Sequence, residues 1–510
     1  RGYLSMTDGA SFSYDGNVTL NYNTLVNEKH IIYAGAGLEV TQNDNNSHGF
    51  IMTGFPDDRY SDPAFAIQYK KETKPSSSES KSRAIGFFAN GNYSYDDRYF
   101  ADVSVRIDGS SKFGADKKYA PFWSAGAGWN VHNEKFFKHT KISMLKLRYS
   151  YGVTGNQEFS AYQAKTMFQF NTDRLYNSGI SAALMGYGNP DLEWQNQYQS
   201  NYGFDFGYAK DRIRLQFNYY QKKTEGMLTS VSVAPSLGLP SNTFTSNLGK
   251  IQNKGVEVNL NAVLIRDQGK DFEWSVMLQA AHNKNKIMEI STALKNINEK
   301  NNQDKTTPAA VYEEGESMSA IKAVPSLGID PTTGQELFMK KDGTITYTWD
   351  ATDKVICGDS EPKVFGNVGT NLYWKGWNLN MVFKYDLGAD YYNSTLAERV
   401  EGANPRYNAD RRVLNNRWKE PGQHALYKNI KEYTTTYISS RFVQKENTLQ
   451  LTSLSLSYDL NREWIRKFGL NTMRLSFYMN DVFRASTVKN ERGLDYPFQR
   501  SFVFGLNIGF

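Results

Sequence analysis

The chain has 510 residues and a formal net charge of +6, from 59 basic and 53 acidic side chains. This small excess, which forms no Lys/Arg block, argues against a nucleic-acid-binding protein. A mean hydropathy of −0.61, in a sequence without any run of 18 apolar residues, excludes a helical membrane protein. The single cysteine, Cys357, excludes an intrachain disulfide framework and a cysteine-based metal cluster.

Large apolar residues alternate with small or polar ones in many segments, and this period of two predicts β-strands. The clearest example is 201–221, where NYGFDFGY and IRLQFNYYQ flank a short AKDR turn. About fifteen strands are predicted in chain order, at 18–23, 30–41, 83–95, 99–110, 122–130, 143–153, 196–208, 211–224, 247–265, 272–284, 363–374, 377–388, 447–459, 471–481 and 501–510.

The predicted connections alternate in length. Every second one is short, namely 24–29, 96–98, 131–142, 209–210, 266–271, 375–376 and 460–470. Those between are mostly long, namely 42–82, 111–121, 154–195, 225–246, 285–362, 389–446 and 482–500. Outer-membrane barrels have this pattern, because their periplasmic turns are short and their external loops are long. The sequence therefore predicts an all-β transmembrane antiparallel β-barrel with long extracellular loops and short periplasmic turns.

The final strand, SFVFGLNIGF, is predicted to descend to the periplasmic rim with Phe502, Phe504 and Phe510 toward lipid. Counting back, the first strand also descends, which places residues 1–17 outside the cell. Fifteen is odd, whereas bacterial single-chain barrels have an even number of strands, and an open edge in lipid leaves backbone groups unpaired. We therefore expect further strands beyond this chain, one of which pairs with 502–510.

The sequence offers no convergent catalytic set. The six histidines are scattered, and we expect no enzyme activity, no cofactor and no metal site. The acidic run Glu313, Glu314 and Glu316 is predicted to be a solvated loop face. The polar segment 72–83 is predicted to be a flexible loop tip.

Six segments resemble, in the expected order, the SusC/RagA family of TonB-dependent outer-membrane transporters from Bacteroidetes. They are YSYGVTGNQ (149–157), NPDLEWQNQYQSNYGFDFGYAKDRIRLQFNYYQKKTEGML (189–228), NLGKIQNKGVEVNL (247–260), SLGIDPTTGQELFMKKDGT (326–344), VFGNVGTNLYWKGWNLN (364–380) and YPFQRSFVFGLNIGF (496–510). The resemblance begins at NVTLNYNTLVNEKH (17–30) and spans nearly all of the chain. It implies a 22-stranded barrel that is plugged by an N-terminal domain, energised through TonB and covered outside by a SusD-like lipoprotein. Such transporters import large nutrients such as oligosaccharides or peptides.

The chain departs from the family pattern, because the plug domain, the TonB box and about seven first strands are absent from it. Residues 1–510 thus correspond to the C-terminal part of the barrel, in the outer membrane of a Gram-negative bacterium. The resemblance implies as partners a SusD-like lipoprotein, the remaining N-terminal part, TonB through that part, and lipid with lipopolysaccharide, but no nucleic acid. It also implies that barrel-assembly machinery recognises the terminal aromatic strand.

Loops 285–362 and 389–446 are expected to contact the lid protein and the substrate. Aromatic residues in strands are expected to form girdles at the lipid interfaces, whereas those in long loops are free to stack on a ligand. The candidates for substrate or lid contact are Tyr391, Tyr392, Tyr407 and Trp418. The lumen-lining candidates are Asp205, Arg214, Gln216 and Asn218, since large barrels have polar interiors.

Two alternatives to a transporter stay open at this point. A non-transporting barrel would act through its surface loops, as an adhesin or a structural protein, and would have no plug or TonB box. An outer-membrane enzyme would need a convergent Ser/His/Asp or carboxylate set, which the scattered histidines do not supply.

Overall fold

The structure is a computed structural model. It describes residues 2–57, 59–60, 62–114, 117–137, 141–156, 161–176, 179–232, 243–247, 249–290, 292–306, 308–404, 406, 410–431, 435–489 and 499–510. Within these residues, no helix is both long enough and apolar enough to cross a membrane.

Fifteen strands form one large sheet, in which each strand is hydrogen-bonded to the next one along the chain. They are β1 Tyr3–Val26, β2 His30–Thr53, β3 Ser76–Tyr95, β4 Tyr99–Ser110, β5 Tyr119–Asn130, β6 Ile142–Asn156, β7 Gln195–Tyr208, β8 Ile213–Glu225, β9 Lys250–Asp267, β10 Phe272–Glu289, β11 Val364–Trp374, β12 Trp377–Tyr392, β13 Val443–Asp459, β14 Thr472–Ser486 and β15 Phe502–Gly509. A short strand, Gln68–Tyr69, pairs with β2, and β1 and β15 are the edge strands of the described sheet. The predicted all-β fold with about fifteen strands is confirmed.

The connections contain smaller elements. Their strands are Met167–Tyr176 paired with Gly179–Gly186, Leu228–Ser232 paired with Thr243–Asn247, Ala320–Ala323 paired with Val355–Asp359, and the set Ser326–Ile329, Glu336–Met339 and Ile345–Thr346. Their helices are α1 Thr292–Asn302, α2 Arg462–Ile465, the π-helix Leu396–Glu401, and the 3-10 turns Pro63–Phe65, Val131–Asn133, Lys135–Phe137, Ala351–Asp353, Arg411–Leu414, Ser440–Phe442 and Arg466–Phe468.

The short connections are tight hairpin turns. The turn between β1 and β2 has φ of 50° at Asn27 and 55° at Glu28, and the turn between β3 and β4 has 51° at Asp96 and 52° at Asp97. Two consecutive residues with positive φ match the right-handed twist of the paired strands. Because neighbouring strands are antiparallel, the tight turns lie at one end of the sheet and the longer connections at the other.

Several strands are longer than the alternation predicts. β1 and β2 pair without a break from Tyr3 opposite Thr53 to Val26 opposite His30. β3 begins at Ser76, which pairs with Gly49, so the prediction of a flexible tip over 72–83 is wrong for most of that segment. The physical reason is that ladder hydrogen bonds join backbone groups, and a polar stretch can form them without an apolar face.

The chain divides into two compact units. The first comprises Arg1–Ala127, Ser150–Tyr198 and Thr224–Leu248, and the second comprises Gly128–Tyr149, Gln199–Lys223 and Gly249–Phe510. The first unit has an apolar cluster in which the ring of Trp194 stacks on Phe113 at 4.3 Å and meets Phe122 edge-on at 5.3 Å. Trp194 ends the NPDLEW motif, and its ring contacts hold the segment 189–194 against Phe113 and Phe122.

Replacing Gly114 with alanine is expected to displace this segment. A Cβ at Gly114 would lie 1.7 Å from the carbonyl oxygen of Pro190, and a backbone atom cannot yield as a side chain can. Hydrogen–deuterium exchange of residues 189–194 should therefore increase. The matched control is Gly186→Ala in the same unit, where a Cβ would meet nothing within 4 Å. Equal exchange in the two variants would contradict the role given to the motif.

The terminal strand β15 has a strongly exposed aromatic set. Phe502, Phe504 and Phe510 are 62%, 75% and 88% exposed, and the ring of Phe504 lies 5.1 Å from that of Phe477 on β14. Gly505 lies opposite Ser476 in the ladder. The strand thus carries large apolar groups on one face and small or polar ones on the other.

Candidate functional site

The polar face of β6, β7 and β8 carries a hydrogen-bonded cluster. Arg148 donates through Nη2 to Asp205 Oδ1 at 2.7 Å and to Asn218 Oδ1 at 3.1 Å. Gly203 leaves room for these side chains, because a Cβ there would lie 2.7 Å from the amide oxygen of Asn218. Asp205 is only 6% exposed, and a buried carboxylate requires a cation of this kind. Two lumen-lining candidates are therefore joined by Arg148, which the strand pattern alone did not single out.

The other two lumen-lining candidates lie on the same face of β8. Arg214 and Gln216 precede Asn218 by four and two residues, and side chains two apart share a face of a strand. Arg214 Nη2 lies 2.7 Å from Asp211 Oδ2, and Asp211 in turn accepts a hydrogen bond from Ser143. Arg214 is thereby tied to the short turn, while Gln216 is exposed. Whether these residues line a channel stays a prediction.

The opposite face of the same strands is aromatic. Tyr202 on β7 lies 4.8 Å, centroid to centroid, from Tyr149 on β6 and 6.2 Å from Tyr219 on β8. A second aromatic contact lies beside the short turns, where the rings of Trp377 and Tyr458 are 4.6 Å apart. A wall between lipid and a wet lumen needs this division into an aromatic, apolar face and a polar face.

Among the loop candidates, Trp418 lies against a turn of a different connection. Its Nε1 donates to the carbonyl oxygen of Pro331 at 2.8 Å. Its ring covers Gly334, where a Cβ would lie 2.6 Å from the indole and where φ is 74°. Trp418 therefore packs the connection 393–442 onto the connection 290–363.

Asp330 builds the turn that Trp418 covers. Its carboxylate accepts hydrogen bonds from the Tyr347 hydroxyl at 2.6 Å, from the Thr332 amide at 2.9 Å and from the Thr333 hydroxyl at 2.9 Å. These bonds, that of Tyr347 first, lower the pKa of Asp330 to about 2. The motif SLGIDPTTGQ thus contains a turn that Asp330 holds through its own neighbours Thr332 and Thr333 and through Tyr347.

The turn 330–334 is expected to loosen only in acid. The pKa of Asp330 in the folded protein, about 2, lies below its ordinary value of 3.8. The stabilisation is therefore fully present above about pH 4 and is lost as the pH falls toward about 2. Hydrogen–deuterium exchange of residues 326–340, corrected for the intrinsic rate, should rise over that range. In the Asp330→Asn variant the rise should disappear, and a rise of equal size would show that another group is responsible.

The remaining aromatic candidates end β12. Tyr391 pairs with Gln444 and Tyr392 with Val443 across to β13, so their side chains lie on opposite faces. The Tyr392 ring meets Phe442 edge-on at 6.0 Å, and its hydroxyl is buried. The fourth candidate, Tyr407, lies outside the described residues. Contact of these aromatics with a substrate or a lid stays a prediction.

A buried ion cluster, formed by Arg441, Glu336 and Glu401, joins the two large connections. Arg441 Nη2 lies 2.8 Å from Glu336 Oε2, and its Nη1 lies 2.5 Å from Glu401 Oε2. Burial alone would lower the pKa of Arg441, but the hydrogen bonds and charges of Glu401 and Glu336 outweigh it and raise that pKa. Periodicity gives no signal for this cluster, because Glu336 and Arg441 are 105 residues apart.

A second buried arginine, Arg417, lies in the same region and binds backbone carbonyl groups there. Arg417 is 4% exposed and donates only to carbonyl oxygens among its described contacts, namely those of Val400, Glu401, Val413 and Lys428. Burial lowers the pKa of Arg417, and the charge of Glu401 opposes that shift. Four acceptors from three parts of the connection hold it in one conformation.

The acidic run in the first large connection is ion-paired. Lys322 Nζ lies 2.7 Å from Glu313 Oε1 and 2.7 Å from Glu316 Oε2, with the lysine side chain 7% exposed and that of Glu316 19% exposed. Glu314 accepts a hydrogen bond from the Ile290 amide at 3.1 Å. The prediction of a solvated face is therefore wrong for Glu316, which offsets the charge of a buried lysine. Within the described part of the chain, no three His, Cys, Asp or Glu side chains are grouped to hold a metal ion.

Comparison with known proteins identifies the family. Residues 2–482 match the family described as TonB dependent receptor-like, beta-barrel, and the chain belongs to it. The chain is 28% identical to the TonB-dependent receptor P3 of Formosa agariphila, over 86% of this chain and 46% of that protein. It is 23% identical to the TonB-dependent receptor SusC of Bacteroides thetaiotaomicron, over 98% of this chain and 51% of that protein. The recognition made from the motifs is confirmed.

Solved structures share the fold. The RagAB peptide importer in its closed-closed state superimposes with a TM-score of 0.86 at 22% identity, over 99% of this chain and 56% of that chain. The RagAB peptide transporter gives a TM-score of 0.84 over 96% and 53%. The chain spans about half the length of the curated relatives it matches. The names of these relatives describe receptors and transporters, which supports a non-enzyme at the level of the family.

Proposed function

We propose that this chain forms the C-terminal barrel portion of an outer-membrane TonB-dependent transporter that imports large nutrients, either oligosaccharides or peptides. Membership of the TonB-dependent receptor family carries the proposal. It is supported by the two unlike faces of the sheet, one with Arg148 and Asp205 in a polar cluster and the other with Tyr149 and Tyr202 in an aromatic row.

The rest of the protein would supply the parts that this chain does not contain. We expect a plug, a TonB box and first strands there, with strands that complete the ladders at the free edges of β1 and β15. The aromatic residues Phe502 and Phe504 on β15, and Phe510 directly after it, would face lipid and be recognised by the assembly machinery. The support is the exposure of all three side chains, two of them on the edge strand β15 and Phe510 directly after its end.

A SusD-like surface lipoprotein would cover the two large connections. They are built to present a fixed surface, since Trp418 packs one on the other and Arg441 ties both through buried carboxylates. A partner that opens and closes over the barrel needs a rigid surface of this kind to bind to. Tyr391, Tyr392 and Trp418 would then lie in or beside the surface that the partner binds, and Tyr407 belongs to the same connection by its position in the sequence.

The test is uptake by cells that carry the complete protein. Fluorescent oligosaccharide and peptide libraries should enter cells with wild-type protein, and entry should cease when TonB is deleted. The complete protein, purified from the outer-membrane fraction, should bring a lipoprotein with it. Entry that persists without TonB, or adhesion without any entry, would favour a barrel that acts only through its surface loops.

A further inference from the structure

Three lysines lie together on one face of β9 and β10. Lys254 and Lys284 are directly opposite each other in the ladder, and Lys286 lies two residues beyond Lys284, opposite Gln252. Cβ atoms of directly opposite residues are about 5 Å apart and diagonal ones about 7–8 Å. All three side chains are exposed. The face therefore carries a compact patch of three positive charges, here called the lysine patch.

The lysine patch continues the apolar face of the strands. Along β10, Val276, Leu278 and Ala280 lie on the same face as Lys284. The residues between them lie on the other face and have polar partners in the ladder. The opposite face holds a polar network, in which the Asn283 and Asn285 side chains both donate to Asn253 Oδ1 at 3.2 and 2.9 Å. The lysines are thus on the lipid side of the wall and not on the lumen side.

The charges of the lysine patch are uncompensated within the described residues. None of the three lysines is within ion-pair distance of a carboxylate there, and the nearby Glu289 pairs with Lys250 at 2.7 Å. Like charges directly opposite each other destabilise a sheet. At the short-turn end, by contrast, Arg266 is paired with Glu273 at 2.8 Å and Arg474 with Asp459 at 2.5 Å. Two directly opposed lysines without a carboxylate partner among the described residues point to an anion from outside the chain.

The position of the lysine patch along β10 indicates the membrane depth at which that anion lies. Trp274, near the short turn, is on the same face as Lys284 and ten residues before it. Ten residues extend about 34 Å at ~3.4 Å each, and a strand tilted by about 40° rises about 26 Å over that length. The apolar band of such barrels is about 25 Å tall. The lysine patch therefore lies at the head-group level of the outer leaflet when Trp274 lies at the inner interface.

We propose that the lysine patch binds the phosphate groups of an anionic outer-leaflet lipid, whose acyl chains lie along Val276 and Leu278. This inference rests on the outer-membrane location proposed above. Phosphate oxygens accept several hydrogen bonds from ammonium groups and neutralise their charge. Such a contact removes the repulsion between Lys254 and Lys284 and fixes the lipid beside the large connections.

The experiment uses the complete transporter in detergent and native mass spectrometry. Bisphosphorylated lipid A is the probe, and its dephosphorylated form is the comparison. The triple variant Lys254→Gln, Lys284→Gln, Lys286→Gln should bind bisphosphorylated lipid A roughly tenfold or more weakly than wild type. Its binding should fall to the level of the dephosphorylated lipid. Excess inorganic phosphate should not displace the lipid, because the acyl chains contribute to its binding.

A matched control removes three lysines from the short turns, as Lys210→Gln, Lys270→Gln, Lys375→Gln, and should bind the lipid as wild type does. Equal loss in both triple variants, equal binding of the two lipid forms by wild type, or displacement by inorganic phosphate would each overturn the proposal. The outer-membrane location is read separately, from fractionation of cells with wild-type protein. If the wild-type protein is found in the outer-membrane fraction but binds both lipid forms equally, only the proposal about the lysine patch is refuted.

Discussion

Replacing Arg441 with methionine is expected to loosen both large connections. The substitution keeps most of the side-chain volume and removes the cation between Glu336 and Glu401, whose side chains are 4% and 1% exposed. Breaking a buried ion pair by removing one partner costs about 3–5 kcal/mol, because the remaining charge is left buried. Lys428, 3.8 Å from Glu401, is too distant to replace the lost hydrogen bonds. Hydrogen–deuterium exchange of residues 320–339 and 396–404 should rise by orders of magnitude.

The control for this prediction is an arginine in an exposed ion pair. Arg474 Nε lies 2.5 Å from Asp459 Oδ1, and both side chains are about half exposed. Exposed pairs contribute less than about 1 kcal/mol, so Arg474→Met should leave exchange in the large connections unchanged. If Arg441→Met behaves as Arg474→Met does, the buried cluster does not hold these connections. Glu336→Gln combined with Arg441→Met should recover part of the protection, since it removes one of the stranded charges.

Replacing Trp418 with alanine is expected to lower uptake several-fold at equal surface expression. The indole fills the space over Gly334 and donates to Pro331, so its removal leaves a cavity between the two connections. Truncating a fully buried aromatic side chain costs about 3–5 kcal/mol, and truncating the half-buried Trp418 should cost less than that. The turn at 330–334 then loses its cover, and the surface proposed to seat the lid and the substrate changes shape. Uptake of the transported nutrient by whole cells is the measurement.

Trp129 provides the matched control. Its Nε1 donates to Glu134 Oε1 at 3.0 Å beside a short turn, at the other end of the sheet from Trp418. Trp129→Ala should therefore reduce uptake much less than Trp418→Ala. Tyr392→Ala, which removes the contact with Phe442, should also reduce uptake more than Trp129→Ala does. Equal transport in all three variants would refute the assignment of the large connections to substrate and lid contact.

The transport candidates show which properties the strand alternation predicts and which ones depend on tertiary packing. Asp205 and Asn218 were predicted for the polar face from alternation alone, and they lie together there. Arg148, which joins them, lies on a different strand 57 residues before Asp205. Alternation reports the face of a residue but not its neighbour on the next strand, because that neighbour depends on register. Trp418 was identified as a loop aromatic, yet its packing role needs a turn 87 residues away.

The strand number, the alternation of short and long connections and the family all follow from the amino-acid sequence alone. These properties are local: two-residue periodicity, turn residues and ordered motifs are each contained in a short segment. Three other features follow from the fold and not from the sequence pattern: β3 extends into a polar segment, Glu316 pairs with a buried lysine, and Lys254 faces Lys284. Each of these features depends on backbone ladders or charges that the fold brings together from distant segments. The stabilising contacts are therefore not contained in any single stretch of sequence.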